Sequence, residues 1–165
     1  MVEGIREARD SDADRLIRLV GTCWAEYPGC VLDVDGEVPE LRAIASHFRD
    51  RSGRFWVVDA VGEGSEGIVG CVGASPARDT AGWELLKLYV DPRARRRGLG
   101  ARLTGLVEDL AQASSGRFVE LWPDTRFTAA HRLYERLGYA RLAETRELHD
   151  LSDTVEYHYI KTLAR

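Results

Sequence analysis

The hydrophobic positions of this chain change period several times, and each change marks an element. Gly4 to Ala8 reads as a short first strand. Beyond it Leu16, Val20, Cys23, Trp24 and Tyr27 recur at helical spacing, behind a Ser11-Asp12-Ala13-Asp14 start that is close to a capping box. Pro28-Gly29 stops that helix, and Gly29 to Glu37 is a loop. Pro39 suits the first turn of a second helix, with Leu41, Ile44, Ala45 and Phe48 on one face and Gly53 at its end. Phe55 to Val58 and Ile68 to Ala74 are apolar strands joined by Gly62-Glu63-Gly64-Ser65-Glu66-Gly67, a hairpin by its turn chemistry. Trp83 to Val90 is the next strand. Leu99, Leu103, Leu106, Val107 and Leu110 then carry a helix to about Ala113. Arg117 to Trp122 is a short strand. Thr125 or Thr128 opens a helix with Ala130, Leu133, Tyr134 and Leu137 on one face, ended by Gly138. Tyr139 to Leu148 and Val155 to Leu163 are two closing strands. The order βααβββαβαββ predicts an α/β fold of the α+β type. It is one mixed, mostly antiparallel central sheet of about seven strands flanked by about four helices, in a single domain over residues 1–165.

Composition narrows the function classes. The 165 residues are 44 % hydrophobic and 30 % charged, ordinary for a soluble protein with a real core. A net charge of −4 argues against a general nucleic-acid binder, so a local arginine run stands out. Three cysteines, at 23, 30 and 71, form no framework and no CxxC pair, which favours free thiols in a reducing compartment and predicts no metal. The start Met1-Val2-Glu3-Gly4 has neither a basic region nor an apolar run, so no signal peptide is expected. No apolar stretch approaches membrane-spanning length. A cytoplasmic protein with no nucleic-acid or membrane partner is the expectation.

The arginine run sits where an anion site is built. The strand Trp83 to Val90 stops at Asp91-Pro92, a basic loop follows, and Arg95-x-x-Gly98-x-Gly100 opens a helix. The first N–H groups of a helix have no internal partners and can donate to a phosphate. Glycines allow close approach to the backbone, and arginines add charge-assisted bonds. A P-loop would need Lys-Ser/Thr after its second glycine, and neither is present. A dinucleotide fingerprint would need a third glycine where Leu103 stands, and its first glycine directly after the strand, whereas seven residues separate Val90 from Gly98. Glu120, 20 residues after Gly100, does mimic the ribose-binding acid of such folds. A merely solvated basic loop is the remaining alternative.

From Ile5 to Leu163 the chain resembles the GNAT superfamily of N-acetyltransferases in element order. Two segments carry the resemblance. Leu88-Tyr89-Val90-Asp91-Pro92 with Arg95-x-x-Gly98-x-Gly100 looks like the family's acetyl-CoA pyrophosphate motif, and Ala130-x-x-Leu133-Tyr134-x-x-x-Gly138-Tyr139 looks like its second cofactor segment. The resemblance implies an acetyl-CoA-dependent N-acetyltransferase (an acyltransferase that binds coenzyme A) acting on a primary amine of a small molecule, peptide or protein. Arg95, Arg96, Arg97, Gly98, Leu99, Gly100 and Ala101 would hold the pyrophosphate. Leu88, Tyr89 and Val90 would hold the pantetheine where their strand splays from Arg117 to Trp122, and a free N–H there would polarise the thioester carbonyl.

The resemblance also suggests chemistry. By the resemblance Tyr134 is the general acid for the departing thiolate, since a phenol stays protonated at neutral pH; helical spacing alone reads it as a core residue. Removing a proton from a lysine-like amine at neutral pH costs roughly 4–5 kcal/mol. Glu84, on the thioester strand, is the candidate base, with a rim carboxylate as the alternative. Strict alternation puts Glu84, Leu86 and Leu88 on one face of that strand and Trp83, Leu85, Lys87 and Tyr89 on the other. The resemblance points acceptor binding to the loop with Tyr27, Asp33, Asp35 and Glu37, whose acidity suits a cationic amine, with a merely solvated acidic loop as the alternative. Phe127 stands where many family members have Asn, a departure that bears on cofactor hydrogen bonding. His131, one turn before Tyr134, could contact it. A thiol route through Cys71 is less favoured than direct attack. A non-catalytic acyl-CoA sensor on the same fold remains the alternative function. The residues leave the acceptor and the oligomeric state open, a homodimer included.

Overall fold

A computed structural model describes residues 4–62 and 66–164. Met1-Val2-Glu3, and Glu63-Gly64-Ser65 at the tip of the expected hairpin, lie outside the described residues. The strands are β1 (Ile5–Glu7), β2 (Arg54–Asp59), β3 (Ile68–Pro76), β4 (Trp83–Val90), β5 (Phe118–Leu121), β6 (Ala140–Glu147) and β7 (Val155–Thr162). The helices are α1 (Ala13–Trp24), α2 (Val34–Glu37), α3 (Ile44–Arg49), α4 (Leu99–Ala113) and α5 (Thr128–Arg136). They form one sheet in the order β1-β2-β3-β4-β5-β7-β6, antiparallel except between β4 and β5.

The central strands read as unbroken apolar runs because both sheet faces are covered. On β2, Phe55 and Val57 point to a core built with Leu16, Leu19 and Val20 of α1, Leu41, and Ile44 and Phe48 of α3. Trp56 and Val58 point the other way, to Leu99, Leu103, Val107 and Ala111 of α4 and Tyr134 of α5.

Four local expectations are revised. Ser11 does not cap α1; Asp12 is the N-cap residue, and its buried carboxylate is taken by Arg6, Arg15 and the Arg9 N–H. Those arginines hold its pKa down at about 2. The loop after α1 contains the one-turn helix α2, because Asp33 accepts from Gly36 N at 3.0 Å. The second expected helix begins as a 3-10 turn, Pro39–Ala43, before α3.

The alternation expected along β4 breaks. Cys71 pairs with Tyr89 but Gly73 pairs with Leu86, so β4 carries one extra residue opposite Val72. Lys87 takes up that residue with φ 54°, in the left-handed region. Its carbonyl accepts from Cys71 Sγ at 3.2 Å, and its ammonium pairs with Glu40 at 2.8 Å. After the bulge Leu88 joins Trp83 and Leu85 on the α4 side, while Leu86 and Tyr89 face α1.

Candidate active site

The site opens where the sheet fails to close. β4 and β5 pair only at Trp83–Val119 and Glu84–Glu120. Beyond Glu84 the two strands diverge, so the rest of β4 has no strand neighbour on that side. Two cavities occupy the divergence. One, of about 620 Å³, is lined by Arg96, Gly98, Leu99, Gly100 and Ala101 from the turn into α4, by Val90, and by Arg132, Leu133 and Arg136 from α5. The other, of about 760 Å³, is lined by Glu84, Trp24, Trp122, Tyr134, Arg146 and Glu156 among others. Leu88, Tyr89, Phe127 and Ala130 line both and form their junction.

The first cavity has the chemistry of an anion site. Gly98, the N-cap residue of α4, has φ +73°, a conformation that strains any L side chain. No side chain caps the helix, and the amides of Arg96 to Ala101 donate to no acceptor among the described residues. Five of these six residues, all but Arg97, line the cavity together with the positive end of a helix.

The arginines divide their labour. Arg95 lines the cavity but not as a free cation: its guanidinium holds Glu26 at 2.6 and 3.0 Å and the Val90 carbonyl at 3.0 Å, bracing the loop against α1. Arg93 is taken by Asp91. Arg97 is exposed and off the lining. Arg96, with φ 62°, does line the cavity, as do Arg132 and Arg136, none of which has an ion-pair partner among the described residues. Sequence reasoning missed Arg132 and Arg136. Their spacing from Ala129, one face of a helix, was the available signal.

In the second cavity Tyr134 is 4 % exposed, and its hydroxyl has no protein hydrogen bond among the described residues. Burial pushes its phenol well above the usual range, so it remains a proton donor. Glu84 has no hydrogen-bond partner either. Burial pushes its carboxyl up; Arg146 opposes this, and Glu120 and Glu156 add to it. An unpartnered carboxylate with a raised pKa in a cleft is suited to accept a proton.

The acceptor-loop residues fall elsewhere. Tyr27 lines the first cavity and lies against Phe127, with ring centroids 4.8 Å apart. Asp33 is spent capping α2, and exposed Asp35 pairs with Arg42 at 2.6 Å. Neither lines a cavity, because local partners claimed both carboxylates. Glu37 does line the second cavity, where it accepts from Leu151 N at 3.2 Å.

Three remaining residues are structural. His131 is buried and bonded to the Asp124 carbonyl at 2.9 Å. Cys71 is fully buried, and desolvation pushes its thiol far up, away from the nucleophilic thiolate. Cys23 lines the first cavity, but burial pushes its thiol up to about 11. Among the described residues no helix is long and apolar enough to cross a membrane, and no cluster of three metal-ligating side chains occurs.

Residues 15–139 match the family described as Acetyltransferase (GNAT) family. N-acetylaspartate synthetase of Danio rerio is 30 % identical over 122 residues, which are 73 % of this chain and 40 % of that protein. The chain spans less than half the length of the curated relatives it matches. An acetyltransferase of GNAT family from Staphylococcus aureus Mu50 superposes with a TM-score of 0.80 at 20 % identity, covering 97 % of this chain and 98 % of the other. The yncA protein of Salmonella typhimurium, solved with its cofactor acetyl-CoA, superposes with a TM-score of 0.71 at 15 % identity, covering 98 % and 94 %. At these identities both structures speak to the fold.

Proposed function

The chain belongs to the acetyltransferase (GNAT) family, and from that premise we propose that it moves an acetyl group from acetyl-CoA to a primary amine by direct attack. The observation that carries the reading is the junction of the two cavities at Leu88 and Tyr89: acceptorless amides lie on one side, and Glu84 and Tyr134 on the other. The first cavity fits the donor. The amides of Arg96 to Ala101 would hold its pyrophosphate, with Arg96, Arg132 and Arg136 nearby for further phosphate charge. The unpaired edge of β4 offers main-chain groups to an extended pantetheine arm, as an added strand would. Acetyl-CoA supplies the acetyl group already activated as a thioester.

The protein's own groups handle protons. Glu84 takes the proton that the incoming ammonium must lose. Tyr134 supplies a proton, or a hydrogen bond, to the departing sulfur. Phe127 walls both cavities, so cofactor contacts made by Asn in other members fall here to an apolar ring. The acceptor is a cationic amine of a small molecule, peptide or protein, which enters the cavity around Glu84. We take the chain as one domain that needs no metal. Its free cysteines suit the cytoplasm. The test is a panel of amines with acetyl-CoA, reading released thiol. Acceptor-dependent thiol release is expected; acetyl-CoA binding with no release by any amine would favour a non-catalytic sensor.

A further inference from the structure

One ionisable unit beside Glu84, which lines the second cavity, has no part in the steps above. Glu84 and Glu120 are register partners on the parallel β4–β5 pair, so their side chains share a sheet face on strands about 4.8 Å apart. Glu120 Oε2 lies 2.8 Å from His158 Nε2, and the other ring nitrogen is hydrogen-bonded to Glu144. The His158 side chain is 8 % exposed and that of Glu144 59 %, so the unit runs from the strand neighbour of Glu84 to solvent. Trp122 stacks on the imidazole, with 4.0 Å between centroids and 3° between planes, and holds the ring in this plane.

Chemistry constrains such a trio. A neutral imidazole has one N–H, yet here each ring nitrogen meets a carboxylate oxygen. Both contacts are satisfied only if the trio holds one proton more than a neutral ring between two carboxylates. That proton cancels one negative charge beside Glu84. The other charged groups facing Glu84 are Glu156 and Arg146, which are paired with each other at 2.6 Å. Ser75, the partner of Glu84 on β3, carries no charge.

We propose that His158 and Glu120 are positioning residues for the base: His158, clamped between Glu120 and Glu144, neutralises the carboxylate next to Glu84 and so keeps Glu84 ionised and able to accept the amine proton. This rests on Glu84 being the base. Without His158, Glu120 confronts Glu84 with a full charge, and Glu84 holds its proton to higher pH.

The experiment compares wild type with His158→Gln, Glu120→Gln and the double variant. Two readouts are taken: the acid limb of the kcat/KM–pH profile, and the carbon NMR titration of the Glu84 carboxyl in ligand-free protein. His158→Gln moves both upward by about half a pH unit to one unit, the size expected for one more charge at close range in a partly wet site. Adding Glu120→Gln reverses the shift, because the unneutralised charge is gone. Glu120→Gln alone lowers the Glu84 titration. An unmoved Glu84 titration in His158→Gln, or a shift that persists in the double variant, overturns the proposal. If His158→Gln does not fold, Glu120→Gln decides it, and an unchanged or raised titration there is the contrary result. Wild-type turnover in Glu84→Gln would refute the base itself, while the carboxyl titration still reads the coupling.

Discussion

Gly100 of α4 turns its bare Cα toward Leu133 of α5: a Cβ built there would stand 2.9 Å from Leu133 Cδ2. The glycine leaves room for Leu133 beside the first turn of α4, and both residues line the cavity next to the acceptorless amides. Gly100→Val should crowd Leu133, narrow that cavity and weaken coenzyme A binding at least tenfold, about 1.4 kcal/mol. Calorimetric titration measures it. An affinity equal to wild type would remove the anion-site assignment.

Tyr134 separates chemistry from packing. Its ring packs in a T-shaped contact with Tyr139, with centroids 5.9 Å apart, while its hydroxyl makes no protein bond among the described residues. Tyr134→Phe keeps the ring, so melting temperature and coenzyme A affinity should stay near wild type. Turnover should fall by about a hundredfold or more, the usual contribution of a placed acid. A kcat within twofold of wild type would leave Tyr134 a core residue.

Glu84 gives a pH prediction with a defined sign. Its folded pKa is raised, by burial first, so kcat/KM should climb as pH rises through that value and level off above it. Stability runs the opposite way. A carboxyl with a raised folded pKa favours the folded state below its unfolded value, and that contribution is lost as pH rises through the folded one. Glu84→Gln should therefore lower turnover at neutral pH yet raise the melting temperature there by about 2–4 °C, a gain that vanishes in acid. A thermal scan at two pH values reads this; a melting point that drops at neutral pH would contradict an unpartnered, desolvated carboxylate.

What was legible in the sequence follows the range of the interactions. The strands, the helix faces and the glycine turn show in local periodicity, because burial on one face or two writes itself into neighbouring positions. The bulge at Lys87 does not show, since a lysine in the left-handed region is held there by Cys71 and Glu40, which are distant in sequence. It moved Leu88 to the opposite face. The family resemblance and the acidity of the loop point to Asp33 and Asp35 as acceptor ligands, but the capping bond and Arg42 that engage them are three and seven residues away. Arg95 was read with its motif, but Glu26, 69 residues upstream, sets its direction. Arg132 and Arg136 do not show because they lie off the apolar stripe that marks the helix. His158 and Glu120 meet only through the β5–β7 pairing, which no local pattern encodes.

The two ladder pairs between β4 and β5 bear on cohesion as well as on ligand access. The sheet is two half-sheets, β1 to β4 and β5 with β7 and β6, stitched by two rungs at one end. Below those rungs the seam is open. A molecule that lay along β4 and also bonded β5 would replace missing rungs, so part of its binding energy would go into joining the halves. The grip on such a molecule and the integrity of the sheet would then be the same set of hydrogen bonds, counted from opposite sides of the seam.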